Sequence, residues 1–291
     1  LTDRQGNIWI GTAGGGFYKY FQNDFKHYNT DAGLLGNRIY AVHVNAEGLW
    51  LSHSESGVSN IFNGRIKQVE TPDSFQNTKI KTISSDQKGN LYFGSDGKGI
   101  WLRYQNVRDS FIEDKSKISE LRKIKIPITS ISNHEISTST GFPYDWIRSI
   151  SIQADTIWAA TYASGIVKFG YNPDSKNPIQ IYQVFSAKSG IEDLYIKDSF
   201  YNDGSLWYAT QNGHLGFINN DEVNHIGKVL GEEVAINSIL INNDIIYLGT
   251  AGRGVWWSLL TEQLSFKKLR GLKPLSSENA LQLIFDNDGY L

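Results

Sequence analysis

Apolar and polar residues alternate along this chain in short runs rich in β-branched and aromatic side chains, each bounded by Gly, Asp, Asn or Ser. A period of two, cut at close intervals by turn residues, predicts half-buried strands joined by tight hairpins. The clearest stretch reads as four successive strands: Ile39 to Val44 inside, Leu49 to Ser52 after the turn Asn45 to Gly48, then Gly57 to Phe62, and an outer strand Arg65 to Val69. In such turns Asp or Asn bonds its own backbone two residues on, and Gly supplies the positive φ that closes the hairpin. One stretch differs. Asp109 to Lys125 suits either a short amphipathic helix from Ser110, with Phe111, Ile118 and Leu121 on one side, or a long outer hairpin.

The second feature is repetition. Asp3-Arg4-Gln5-Gly6-Asn7-Ile8-Trp9-Ile10-Gly11-Thr12 returns as Glu47 to Ser52, Gly89 to Ser95, Thr156 to Thr161, Ser205 to Thr210 and Ile245 to Thr250. Its aromatic anchors Trp9, Trp50, Tyr92, Trp158, Trp207 and Tyr247 are separated by 41, 42, 66, 49 and 40 residues. A hairpin copied at about 40–50 residues is the signature of a propeller blade. The expected fold is therefore all-β, a β-propeller of four-stranded blades, with six repeats visible plus a partial seventh starting at Asp286-Asn287-Asp288-Gly289-Tyr290-Leu291. The aromatic should fill the space between neighbouring sheets. Gly11, Gly94 and Gly249, placed after it, should sit where a side chain would collide with the adjacent backbone. Residues 1–291 are read as a single propeller, a slice of a longer array, with 106–141 as an insertion in the third blade and Ala280 to Phe285 as a further inner strand.

Composition narrows the function. The 28 basic and 30 acidic residues leave a net charge of −2, which offers no global attraction to nucleic acid or an anionic membrane. There is no Cys, so disulfides, thiolate metal sites and a cysteine nucleophile are excluded. No apolar run approaches the roughly 18 residues of a membrane span.

In a propeller, the loops leading into the inner strands and those between second and third strands open on one rim. Aligning the leading loops puts Arg38, Lys79, Trp146, Tyr195, Ala235 and Asn279 in one column and Tyr40, Lys81, Arg148, Lys197, Asn237 and Leu281 in the next. Five of these twelve are basic and three aromatic, whereas the other loops add His53, Glu55, Asp96, Lys98, Tyr162, Gln211, His214 and Arg253. Aromatic faces suit sugar rings, and Arg or Lys can bond hydroxyls, carboxylates or sulfates. The candidate ligand-binding residues are Arg38, His53, Lys79, Tyr144, Trp146, Arg148, Tyr162, Tyr195 and Arg253, with Tyr144-Asp145-Trp146-Ile147-Arg148 the densest cluster. The plain alternative is that these are solvated rim residues or part of a propeller–propeller contact.

The pattern Asp-x-x-Gly-Asn-Ile-Trp-Ile-Gly-Thr, joined to Gly33-Leu34-Leu35-Gly36-Asn37-Arg38-Ile39 and looser copies at Gly141-Phe142, Gly190-Ile191 and Gly271-Leu272, resembles the two-component regulator propeller repeat. The resemblance covers nearly the whole chain and is weakest in the fourth unit, where Ala160 matches Gly11. It implies the periplasmic sensor region of a hybrid two-component system of gut Bacteroidetes. There, tandem propellers precede an immunoglobulin-like domain, a membrane helix and a histidine kinase, and report on polysaccharide breakdown products.

Other chemistry is weakly signalled. Asp286 to Gly289 resembles the start of a calcium loop, but the equivalent Asp86-Gln87-Lys88-Gly89 lacks the second acid, so a turn is expected. Glu47, Glu55, Asp96, Asp145, Glu192, Asp193 and Glu278 contain no pair singled out for glycoside hydrolysis. His27, His43, His53, His134, His214 and His225 show no metal-ligand spacing. The expectation is a non-catalytic sensor propeller without cofactor or metal. Its expected partners are a small molecule or oligosaccharide, further propeller and immunoglobulin-like domains of the same polypeptide, and a second copy in a homodimer. Neither direct nucleic-acid contact nor a membrane segment is expected in this chain. A polysaccharide-active propeller enzyme and a scaffold or secretion-associated propeller are the alternatives, since one fold hosts all three.

Overall fold

The structure, a computed structural model, describes residues 8–11, 17–21, 24–54, 57–114, 122–231, 233–269, 280 and 283. Its strands fall in chain order into antiparallel sheets. The first holds β1 (Ile8–Gly11), β2 (Phe17–Phe21) and β3 (Asp24–Tyr28). The second holds β4 (Ile39–Asn45), β5 (Gly48–His53), β6 (Val58–Phe62) and β7 (Arg65–Val69). The third holds β8 (Ile80–Ser85), β9 (Leu91–Ser95), β10 (Ile100–Asp114) and β11 (Arg122–Ile136). The fourth holds β12 (Ile147–Gln153), β13 (Thr156–Thr161), β14 (Ile166–Tyr171) and β15 (Ile179–Phe185). The fifth holds β16 (Ile196–Asn202), β17 (Ser205–Thr210), β18 (His214–Asn219) and β19 (Glu222–Lys228). The last holds β20 (Ile236–Asn242), β21 (Ile245–Thr250), β22 (Val255–Leu259) and β23 (Lys267–Lys268).

Inner strands β4, β8, β12, β16 and β20 stand side by side in chain order, and the outer strands β7, β15 and β19 are exposed or half-buried along nearly all their length. The core is the set of layers between sheets, and each layer draws on two successive blades. Trp50 and Val58 pack with Phe93 and Trp101, Tyr92 and Leu102 with Ile147 and Phe169, and Trp158 and Ile166 with Ile196 and Leu206. Trp50 meets Phe93 edge-on at 6.0 Å, and Phe93 stacks on Trp101 at 4.2 Å. Serines staple the inner strands together: Ser52 Oγ donates to the Ile80 carbonyl at 2.9 Å, and Ser84 Oγ to the Ile150 carbonyl at 2.7 Å.

The number of blades differs from the expectation. Five sheets are four-stranded blades, and the sheet at the start of the chain has three strands, against the six repeats plus a partial seventh read from the hairpin copies. Trp9 lies in β1, the position Trp50 occupies in β5, so the described part of the first copy holds no inner strand. The partial seventh copy at Asp286 to Leu291 lies outside the described residues, as do Glu55, Glu278, Asn279, Leu281 and the turn at Asp3 to Gly6. Of the stretch Ala280 to Phe285, Ala280 and Leu283 are described. Ala280 N donates to Thr250 O and Leu283 N to Ser238 Oγ, so both stand beside the last blade as an inner strand would.

The alternatives for Asp109 to Lys125 resolve toward the hairpin. β10 and β11 pair residue for residue from Ile100↔Ile136 to Asp114↔Arg122, with Ser110 opposite Ile126 and Phe111 opposite Lys125. Ile118 and Leu121 lie outside the described residues. The expected close approach after the aromatic exists, with partners that differ by blade: a Cβ on Gly94 would lie 2.6 Å from the side-chain atoms Ile147 Cγ2 and Thr82 Cγ2, and one on Gly249 would lie 3.2 Å from Leu283 Cγ and 3.3 Å from the Ala280 backbone oxygen. The Gly-apolar signature is a 3-10 turn closed by a left-handed glycine. Gly33, Gly141 and Gly190 have φ of 102°, 94° and 97°, and the next residues Leu34, Phe142 and Ile191 are buried.

Candidate functional site

Each of the five inner strands skips one residue in its pairing with the second strand, between Ile39 and Ala41, Ile80 and Thr82, Ile147 and Ser149, Ile196 and Asp198, and Ile236 and Ser238. The skipped residues are Tyr40, Lys81, Arg148, Lys197 and Asn237. A bulge re-aims the side chain it carries. Here the isoleucine before it is fully buried in β8, β12, β16 and β20, whereas the bulged residue is half-buried.

These bulged side chains converge across blades. Lys81 Nζ lies 3.8 Å from the centre of the Tyr40 ring and 3.6 Å from Asp96 Oδ2. Arg148 Nη1 bonds Asp96 Oδ1 at 2.5 Å, and its guanidinium lies 4.7 Å over the Tyr162 ring. Lys197 is held below the usual lysine range, first by burial and then by the nearby charges of Arg148 and Lys81. Two cations thus pair with one carboxylate and a third, Lys197, lies near both cations, an excess of positive charge that favours an added anion.

Beside this cluster runs an aromatic track. Trp146, Tyr162 and Tyr195 are 51%, 41% and 41% exposed, against the near-complete burial of the repeat tryptophans Trp50 and Trp158. Trp146 and Tyr162 ring centres are 6.5 Å apart, and those of Tyr162 and Tyr195 are 4.9 Å apart at 71°. Their backbones are fixed by single β-bridges between blades, Asp96 to Trp146 and Tyr162 to Tyr195. Asp96, Tyr162, Gln211 and Ala251 donate their amides to the carbonyls of Lys79, Trp146, Tyr195 and Ala235. The two loop sets therefore share one rim, and the first column is one structural position.

Of the predicted site residues, Trp146, Arg148, Tyr162 and Tyr195 come together. Arg38 and Lys79 lie in the leading loops of the two blades before them, exposed and half-buried respectively. Arg253 is exposed in the loop after β21, its carbonyl accepting from Trp256 Nε1. Two candidates turn toward the core. His53 is fully buried, with Nδ1 2.7 Å from Gly36 O and Nε2 2.9 Å from Ser59 Oγ, and burial lowers its pKa. Tyr144 packs against the core layer between the third and fourth blades. Tyr40, Lys81, Asp96 and Lys197 belong to the cluster but were absent from the candidate set, although the second column contained three of them.

Two of the acidic candidates near the rim serve the backbone. Asp145 accepts from Thr138 N and Oγ1, and Asp193 from Tyr195 N and Asn212 N. Asp86 accepts from Lys88 N and Asn90 N, which is the turn expected in place of a calcium loop. A separate groove of about 940 Å³ lies on the outer side, between β7 and the long hairpin, lined by Glu47, Phe62, Arg65, Trp101, Arg103 and Ile131 among others. It includes none of the predicted site residues.

This architecture recurs in solved structures. The extracellular domain of the hybrid two-component system BT3049 from B. thetaiotaomicron superposes with a TM-score of 0.74 at 18% identity, covering 99% of this chain and 36% of that one. The fold is a β-propeller. The corresponding domain of BT4673 from the same organism gives a TM-score of 0.71 at 18% identity, over 99% of this chain and 37% of that one. PorZ, a surface component of the type-IX secretion system of Porphyromonas gingivalis, gives 0.63 at 14% identity, over 97% of this chain and 42% of that one. This propeller chain spans little more than a third of the two extracellular domains it resembles. No family model matches the sequence, and no curated protein does. Among the described residues, no helix is long and apolar enough to cross a membrane.

Proposed function

We propose that this propeller is the ligand-sensing part of an extracytoplasmic region of a two-component signalling protein, and that it recognises an acidic oligosaccharide at the rim of its third to fifth blades. The observation behind this reading is the pairing of Lys81 and Arg148 with one carboxylate, with Lys197 close to both cations, next to the exposed track Trp146, Tyr162 and Tyr195. The aromatics would stack on sugar rings while the guanidinium and ammonium groups take a carboxylate or sulfate. The likeness to the extracellular domains of two hybrid two-component systems supports the signalling role and a periplasmic setting. Further propeller and immunoglobulin-like domains of the same polypeptide, and a second copy of the chain, are the partners in this reading.

The reading is non-catalytic. Both oxygens of Asp96 are engaged by cations, and Asp145 and Asp193 hold backbone amides, which leaves these acids poorly suited to proton transfer. A signal requires that bound ligand favour one arrangement of the polypeptide over another, since equal affinity for both shifts nothing. The test is calorimetry with acidic and neutral glycan fragments on the native chain, Trp146→Ala and Arg148→Met. An acidic fragment should bind, more weakly at high salt, and lose about tenfold or more in either variant. Binding untouched by both substitutions would remove this site, and hydrolysis of any fragment would overturn the non-catalytic assignment.

A further inference from the structure

The histidines, scattered in sequence, include two that the fold brings to one carboxylate. We infer that Glu192, His214 and His225 form a binding site for a divalent transition-metal ion of the zinc class. Glu192 Oε2 lies 3.1 Å from His225 Nε2 and 3.4 Å from His214 Nδ1, and the three donor atoms all fall within 4.8 Å of one another. Zinc bonds of about 2.0–2.2 Å in a tetrahedral arrangement put neighbouring donors roughly 3.3–3.6 Å apart, so the two separations from Glu192 already suit an ion and rotation of the imidazoles would close the third.

His214 gives an independent reason. Its Nδ1 is sealed from solvent and makes no hydrogen bond among the described residues. A buried polar atom that makes no hydrogen bond costs free energy, and a ring nitrogen that faces the Glu192 carboxylate at 3.4 Å in this way is available as a ligand.

The backbone places all three. His214 opens β18 and His225 lies on the adjacent β19, where His225 pairs with Gly216 and His214 with Lys228. Residues 214 and 216 point to the same side of the sheet, the glycine at 216 leaves room for the Tyr208 hydroxyl, which a Cβ there would strike, and the two imidazole centres are 5.3 Å apart. Glu192 is held between two anchors: buried Ile191, and Asp193, whose carboxylate is tied to Tyr195 N and Asn212 N.

The site opens on a cleft of about 450 Å³ that also contains Asn212 and Tyr195, the last ring of the aromatic track. A three-ligand site of this kind keeps a coordination position for water or an external donor. Lys228 is the cation lining this cleft, and it is paired with Glu233 at 2.7 Å. The simpler arrangement on the same atoms is an ion pair of Glu192 with protonated imidazoles, and it predicts no metal affinity.

The test is titration of the untagged, chelator-treated chain with zinc chloride and, separately, magnesium chloride, read by calorimetry and by thermal melting. Zinc should bind at about one equivalent and raise the melting temperature, and magnesium should do neither, because two imidazole nitrogens suit the softer ion. His225→Gln and Glu192→Gln, at partly exposed positions that preserve side-chain volume, should each weaken zinc binding about tenfold or more. Cobalt(II) added to the native chain should give the visible bands of a nitrogen-ligated, four-coordinate ion, and His225→Gln should lose them. Absence of saturable zinc binding, or full retention in both variants, overturns the assignment whatever the outcome of the glycan experiment.

Discussion

His43 gives this propeller a predictable acid limb. The residue lies in β4, with its Nε2 2.8 Å from Ser85 Oγ on β8, and burial brings its pKa down to about 4. An unfolded chain takes up a proton on this ring near its ordinary value of about 6.5. Between those values the unfolded state binds more protons than the folded one, so stability falls as pH falls through the window and is fully present above it. With these two values, the loss is about 1.4 kcal/mol at pH 5.5 and about 3 kcal/mol at pH 4. Asp198, which burial pushes up, titrates with the opposite sign, and His53 with the same sign, so the informative quantity is the difference between the native chain and His43→Gln. Urea unfolding at fixed ionic strength should show that difference shifting with acid by about 3 kcal/mol, a midpoint change of roughly 1 M at an m-value of about 3 kcal/mol/M. If the difference is flat from neutrality to pH 4, the ring is not held neutral by burial, and the reasoning fails.

Gly94→Ala should destabilise by about 1–3 kcal/mol through its clash with Ile147. The cost should shrink in Ile147→Ala, so a double-mutant cycle by thermal unfolding would show coupling. Trp101→Ala removes a fully buried ring that stacks on Phe93 and donates Nε1 to Asn133 Oδ1, and should cost about 3–5 kcal/mol in the same assay. Asp198→Ala would strip the acceptor from Ser149 Oγ and Ile239 N, joining three successive blades; a loss of about 2–4 kcal/mol is expected, and Asp198→Asn should lose less. Unchanged stability in Asp198→Ala would show that the inner strands do not depend on this link.

Much of the architecture was legible because a blade is a local object. Hairpin turns, strand alternation and the buried aromatic are set by neighbouring residues, and copying them along the chain makes the period visible. The strand limits read for Ile39 to Val69 agree with β4 to β7 to within a residue. Legibility failed where one local pattern suited two structures. Asp109 to Lys125 carried both helical and strand periodicity, and pairing of β10 with β11 decided between them. The number of blades was overread because a hairpin copy in sequence does not guarantee four paired strands.

The site divides along the same line. Column alignment put Lys81, Arg148 and Lys197 at one repeat position, since a bulge that recurs in every inner strand preserves spacing. It was blind to depth. His53 at the end of β5 and Trp146 just before β12 both sit next to turn residues, yet one is fully buried and the other half exposed, because their neighbours come from other parts of the chain. The Glu192, His214 and His225 triad left no trace in spacing, as its members come from a loop and two strands that only the hairpin of the fifth blade brings together. Contacts along the chain made the blade. Contacts between strands and blades, which depend on sheet pairing and twist, decided which charges meet and which rings face water.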